Sequence, residues 1–377
     1  MKKNHPVLQT ECSATQQFLL SKTRADTETQ KTEPERLPDS KVEPLSDIFP
    51  HVKSKEAFIA EALNLLEALP VFGTMVLQID PPTQTEQPDD TFDGNDGRQD
   101  TARAIDKMCN QHDGMWGLLD DQLFGCYFPD KDEKTCLKIA ETFKQTLSKV
   151  SRRTVTIGIA VFPTLDFSKR QIIQNAQKAL DHAKFFGPSS LVSFDAVSLN
   201  ISGDRFYDNG NIQGAVEEFK KALQLDPSNT NVHNSLGVCY GVQGDLDKAL
   251  EEFKAAMTLD TDETLAIFNA GLTSMLAGNR DVALEYFLKA DDRPETRFEV
   301  AVQTGRLYLE ENAPEKSRPY LEKAVGLGRA SHTVYASLGE CYTALGMTDE
   351  AVTAYKKAIR LNSNDAASLS GLGWLYS

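Results

Sequence analysis

Residue types that could do chemistry are scattered along this 377-residue chain. Cys109 and His112 have a C-x-x-H spacing, but no second pair completes a zinc site. Asp89, Asp90, Asp93, Asp96 and Asp100 crowd the stretch Asp89–Asp100, as in a calcium loop, yet the closing glutamate such a loop needs is missing. A solvated acidic loop fits that composition better. His112 stands beside Asp113, with no serine or cysteine that spacing places with them as a nucleophile. The six cysteines, Cys12, Cys109, Cys126, Cys136, Cys239 and Cys341, form no C-x-x-C pair. They read as buried, reduced thiols of a cytoplasmic protein. No metal, cofactor or catalytic residue is expected from these patterns.

Charge narrows the partners. The formal net charge is −15, which argues against nonspecific binding to nucleic acid or to anionic membranes. No apolar run is long enough to cross a bilayer, and Phe18-Leu19-Leu20 is too short for a secretory signal. What remains is recognition of protein or peptide.

The elements that would position such a surface come from a repeat. Gly203, Gly237, Gly271, Gly305, Gly339 and Gly373 are each 34 residues apart. In register with them run a turn series (Gly210, Gly244, Gly278, Asn312, Gly346) and a small series (Ala215, Ala249, Ala283, Ser317, Ala351). An aromatic or apolar series follows at Phe219, Phe253, Phe287, Leu321 and Tyr355. Such a period marks a stack of repeated units. Each unit reads as helix, tight turn and second helix. The first-series glycine costs helix stability, so it implies a close approach that a side chain would block. The turn-series glycines suit a left-handed helix C-terminus, and the aromatic series is expected to fill space between units.

These features resemble the tetratricopeptide repeat. Residues 230–263 show it best, with N-S-L-G-V-C-Y followed by G-D-L-D-K-A-L-E-E-F-K-A-A-M. Five full units fit (196–229, 230–263, 264–297, 298–331 and 332–365), and a sixth contributes one helix from Ala366 to Ser377. The fourth departs most, carrying Pro314 and Pro319 in its second half. The resemblance implies an all-α solenoid whose first helices line a groove for a partner protein or peptide. Carried onto this chain, the groove residues are Asn200, Asn234, Phe268, Asn269, Leu272 and Arg306, with Asp204, Asn231, Val238, Gln303, Ser337 and Glu340 beside them. Asparagine can both donate to and accept from an extended peptide backbone, and Phe268 and Leu272 would take an apolar side chain. In the sixth unit, Trp374 and Tyr376 are expected to pack on the fifth.

Ahead of the repeats, residues 21–47 are polar and charged, a composition that cannot bury a core. Residues 1–52 are therefore set apart as a disordered segment. A helix begins at Ser54 and stops at Pro70. Between 71 and 195 the pattern alternates: strand Val71–Asp80, helix 99–110, strands Met115–Leu119 and Phe124–Phe128 around a tight turn, helix 134–149, strand Thr154–Phe162, helix 169–186 and strand Ser190–Phe194. That order contains the split β-α-β, ferredoxin-like arrangement. The expected domains are 53–195 and 196–377.

Two stretches of the α/β part carry a second resemblance: L-D-D-Q-L-F-G-C-Y-F-P at Leu119–Pro129, and Val155–Pro163 followed by A-Q-K-A-L-D-H-A-K-F-F-G at Ala176–Gly187. They look like the nucleotide-cyclase domain named for its GGDEF hairpin, whose active members make cyclic di-GMP from GTP. The resemblance implies that Lys184 matches a phosphate-binding lysine. It also exposes losses. The hairpin motif falls on Asp120-Asp121-Gln122-Leu123-Phe124, so its metal-binding glutamate becomes Leu123, which cannot hold Mg²⁺. The other metal-binding aspartate becomes Gln78, and the base-reading positions become Asp89 and Arg98. A degenerate, non-catalytic module that also allows a homodimer is expected, coupled to a repeat array that binds a partner. The alternative is a regulator that senses GTP or a related nucleotide without turnover.

Overall fold

The computed structural model describes residues 45–50, 52, 54–81, 96–293, 297–328 and 331–377. The polar segment 1–44, Cys12, and Asp89, Asp90 and Asp93 of the acidic loop lie outside the described residues. The chain divides into two compact units between Pro227 and Ser228.

The first unit holds a five-stranded sheet in the order β2-β3-β1-β4-β5. Its strands are β1 (Phe72–Ile79), β2 (Met115–Asp120), β3 (Leu123–Pro129), β4 (Val155–Phe162) and β5 (Leu191–Ser193). The β1 strand is central and pairs antiparallel with β3 and β4, while β5 joins β4 in parallel. Six consecutive residues of β1 are buried, which explains its unbroken apolar pattern. After a one-turn α1 (Leu45–Ile48), the helices are α2 (Lys55–Leu66), α3 (Asp96–Gln111), α4 (Glu133–Leu147) and α5 (Ile172–Lys184). Met75, Leu77 and Ile79 of β1 share a core with Ala102 and Ile105 of α3 and with Ile139 and Phe143 of α4. The opposite face takes α2 and α5. Phe58 of α2 lies over Gly117, where an added Cβ would come within 2.5 Å of its ring. Gly158 of β4 lies against the α5 backbone, where a Cβ would be 2.1 Å from both the Ala176 carbonyl and the Leu180 nitrogen. The Lys169 ammonium closes the C-terminal end of α2 by donating to the Leu66, Glu67 and Leu69 carbonyls at 3.0, 2.6 and 2.8 Å.

This unit runs on past residue 195 and takes in the first helix pair, α6 (Ala196–Asp208) and α7 (Ile212–Leu225). Side chains tie the pair to α5 and the loop before it. Lys178 donates to Glu218 at 2.7 Å, Arg205 pairs with Asp181, and Lys221 pairs with Asp166.

The second unit is helical: α8 (Thr230–Gln243), α9 (Leu246–Leu259), α10 (Thr264–Leu276), α11 (Arg280–Asp291), α12 (Phe298–Glu310), α13 (Pro314–Gly326), α14 (His332–Ala344), α15 (Thr348–Leu361) and α16 (Ala366–Leu375). Each pair obeys one rule. The glycine of the first helix lies under the side chain 16 residues later in the same unit. A Cβ would meet the Phe253 ring at 2.7 Å from Gly237, the Phe287 ring at 2.6 Å from Gly271 and the Tyr355 ring at 2.6 Å from Gly339. The aromatic series thus packs chiefly inside its own unit rather than between units; Tyr355 also reaches Gly371 of the following helix. The fourth unit keeps its pair intact. Pro314 takes the first helical position, where no intrahelical N–H bond is lost, and Pro319 costs one such bond on an exposed turn. Trp374 and Tyr376 do not bury against the fifth unit: they are 69% and 66% exposed. Tyr376, just past α16, keeps one contact with α15, the Lys356 ammonium 6.0 Å from its ring centroid.

Candidate functional site

The first helices of the array display the positions from which the sequence builds a groove. Two of them are already satisfied. Asn234 on α8 and Asn269 on α10 are buried, and the Asn269 amide donates to the Asn234 carbonyl oxygen at 3.0 Å. One Asn269 N–H and the Asn234 oxygen are thus turned to each other, which leaves less of either amide for the expected peptide backbone. Phe268 is likewise buried, its ring 5.6 Å from that of Phe287, so it belongs to the core. Val238 is buried too. Leu272 is half-buried and Arg306 exposed. Leu276, at the C-terminal end of α10, is 59% exposed and adds an apolar side chain that residue-by-residue carry-over left unnamed. Its place, four residues beyond Leu272, was the available signal. Asn200 stands on α6, within the sheet-bearing unit, with its side-chain oxygen buried and lacking a hydrogen-bond partner among the described residues.

In the sheet, the register brings together the two positions to which the cyclase resemblance would assign metal ligands. Gln78 of β1 faces Leu123 of β3 across the ladder. Neither offers a carboxylate. Asp80 follows closely, but its carboxylate accepts from Thr154 Oγ1 at 2.6 Å, Thr156 Oγ1 at 2.5 Å and the Ser189 backbone at 2.8 Å. Those bonds make it a structural anchor between β1, β4 and the turn before β5. Arg98 reaches the hairpin tip, 3.8 Å from Asp121. Lys184 stays on the exposed end of α5, paired at 3.1 Å with Asp181. Among the described residues, no group of three His, Cys, Asp or Glu could hold a metal, and no helix is long and apolar enough to cross a membrane.

One histidine cluster was not legible in the sequence. His182 Nδ1 lies 3.2 Å from Asp195 Oδ1, and the Ser198 hydroxyl donates to that same oxygen at 2.8 Å. Ser198 Oγ is also 3.5 Å from His182 Nδ1. Relay chemistry needs serine and aspartate on opposite ring nitrogens. Here both sit on one, so the trio fastens α5 to the N-terminus of α6. Burial would raise the Asp195 carboxyl, but hydrogen bonds from His182 and Ser198 outweigh it and hold the carboxyl below its ordinary range. Burial pushes the Cys136 thiol up to about 12 and also raises Cys126 and Cys341, which disfavours their thiolates.

Residues 203–244 match the family model described as TPR repeat, and residues 332–365 match the one described as tetratricopeptide repeat. With the helix-pair rule above, these matches show that the C-terminal part of the chain carries tetratricopeptide repeats. No curated protein matches the chain. Among solved structures it is similar to the MamA protein, at 25% identity over 45% of this chain and 93% of that one, with a TM-score of 0.40. It is similar to YrrB, described as a TPR protein with an unusual peptide-binding site, at 18% identity over 47% and 91%, TM-score 0.41. A third similarity is to PilF of Pseudomonas aeruginosa, at 23% identity over 48% and 82%, TM-score 0.44.

Proposed function

We propose that this chain is a non-catalytic adaptor whose repeat array binds an extended protein segment along its first helices. The observation that carries the reading is the row left open there. Leu272 and Leu276 present apolar surface and Arg306 a charge, while the nearby Asn234 and Asn269 are buried and bonded to each other. Apolar anchors flanked by a charge suit a peptide with a hydrophobic residue near a carboxylate.

The sheet-bearing unit is proposed to be a degenerate cyclase-like module, acting as a folded input or dimerisation element in the cytoplasm. Its interleaved strand order and the pairing of Gln78 with Leu123 support that reading, because the two metal positions of the resembled family would have to be adjacent. The same pairing removes the carboxylates a metal–nucleotide complex needs.

The groove is tested by selecting binders for the whole chain from a displayed random-peptide library, then measuring the selected peptides against Arg306→Glu and Leu276→Asp. The reading expects a loss of about tenfold or more from each, as for anchors at a small interface. Unchanged affinity in both variants would sink it. Thermal unfolding with GTP–Mg²⁺, GDP or cyclic di-GMP tests the module. A ligand of the folded state must raise the midpoint once its concentration exceeds its dissociation constant, and no rise is expected.

A further inference from the structure

A cavity of 460 Å³ opens between α13, α14 and α15, away from the groove row. On α14 it uses Tyr335, Leu338 and Tyr342, whereas the groove positions on that helix are Ser337 and Glu340. The repeat itself explains why the cavity exists. Its lining includes Ala354, and the residue 34 positions earlier is Tyr320, with Tyr286 before that. A ring that occupies this place in the third and fourth units is cut back to a methyl group in the fifth.

The repeat also shows which charge the cavity lacks. In the second unit Lys248 lies over the Tyr240 ring, 5.5 Å from its centroid, and in the fourth Lys316 lies over Tyr308 at 5.7 Å. Those two pairs are equivalent positions, and in the fifth unit they become Tyr342 and Glu350. Where the second and fourth units place a lysine over this tyrosine, the fifth has a carboxylate-bearing residue at the equivalent position, in the same lining. Asp349 and Glu322 add two more carboxylates to the lining, against the one cation Lys357. Lys357 is spoken for by Tyr335, 5.4 Å from the ring centroid, and Glu322 accepts from the Tyr342 hydroxyl at 3.0 Å with Arg318 at 3.8 Å. Partial burial, then that bond to Glu322, pushes the Tyr342 phenol up to about 12, so it stays a neutral donor. Asp349 and Glu350 are exposed at the rim. Val325, Leu338 and Ala354 supply apolar surface below them.

We propose that this cavity binds an arginine side chain presented by a partner protein. The guanidinium would lie on the Tyr342 ring between Asp349 and Glu350, where the second and fourth units hold their own lysine. Its aliphatic stem would cover Val325, Leu338 and Ala354. A planar, weakly hydrated cation with a long apolar stem matches an aromatic, acidic and apolar lining together. The site does not depend on the groove.

The test is fluorescence polarisation of the full chain with a labelled Gly-Leu-Arg-Leu-Gly peptide and its citrulline counterpart, which keeps the shape and loses the charge. The arginine peptide is expected to bind about tenfold or more tightly than the citrulline one. Ala354→Tyr, which restores the ring of the fourth unit, and Glu350→Lys, which restores its cation, should each weaken binding by about tenfold, with the helical circular dichroism unchanged. Arg306→Glu should leave binding as it is. Equal affinity for the two peptides, or absence of saturable binding at millimolar protein, overturns the proposal, as does loss of binding in Arg306→Glu. If Ala354→Tyr fails to fold, the exposed Glu350→Lys decides: unchanged affinity there overturns the proposal.

Discussion

The sheet-bearing unit and the helical array both rely on glycine to bring elements together, but they use it differently. In the sheet, each close approach has its own partner: the α5 backbone over Gly158, the Phe58 ring over Gly117, the Cys136 sulfur over Gly73. In the array a single contact recurs, glycine under the side chain 16 residues later, from Gly237 and Phe253 to Gly339 and Tyr355. An aperiodic core hides its function-bearing residues among equally singular structural ones. A periodic core exposes them, because every departure from the repeat calls for a reason. Ala354 and Glu350 are visible only because Tyr320 and Lys316 precede them.

The contrast can be broken at either end. Gly158→Val should have the largest effect, because its Cβ would run into backbone atoms of α5, which no rotamer change can clear. A loss of about 3 kcal/mol or more is expected in urea unfolding, at the upper end for overpacking. Little change would mean that α5 moves freely on the sheet. The atoms nearest an added Gly237 Cβ belong to the Phe253 ring, so Gly237→Ala should cost about 1–3 kcal/mol. Combining it with Phe253→Ala in a double-mutant cycle should recover much of that loss, since the clash disappears with the ring. Additive losses would break the glycine–ring rule.

Asn269→Ala tests whether the buried asparagines belong to the core. It strands the Asn234 oxygen and should cost about 1–3 kcal/mol. A stable variant that loses peptide binding would return Asn269 to the groove. The smallest effect is expected from Asp195→Asn. The Asp195 carboxyl is held below its ordinary value of 3.8, so its contribution is full above that value and drains away as pH falls through the lower, folded value. The variant should lose that part of the acid dependence, flattening the stability profile below the ordinary value. An unchanged acid limb would show that the His182–Asp195 contact adds nothing.

Much of the architecture was legible because it is periodic or local. The helix expected from Ser54 starts there, at α2 (Lys55–Leu66), and ends before Pro70. The β2–β3 hairpin followed its apolar runs. The site was less legible. Asn234 and Asn269 occupy positions that resemblance gives to a partner, and their burial and mutual bond were not visible in the spacing. The first helix pair carries the same repeat as the others, yet ion pairs such as Lys178–Glu218 draw it into the unit with the sheet.

By itself, the amino-acid order determined the 34-residue period, the helix–turn–helix unit, the strand sequence and the absence of carboxylates at Gln78 and Leu123. These rest on local preference and spacing, which act within a few turns of chain. Tertiary structure alone decided which polar groups satisfy one another, which side chain lies on which glycine, and where Ala354 leaves a space. Those outcomes depend on atoms distant in sequence meeting at van der Waals range, and neither composition nor spacing encodes that distance.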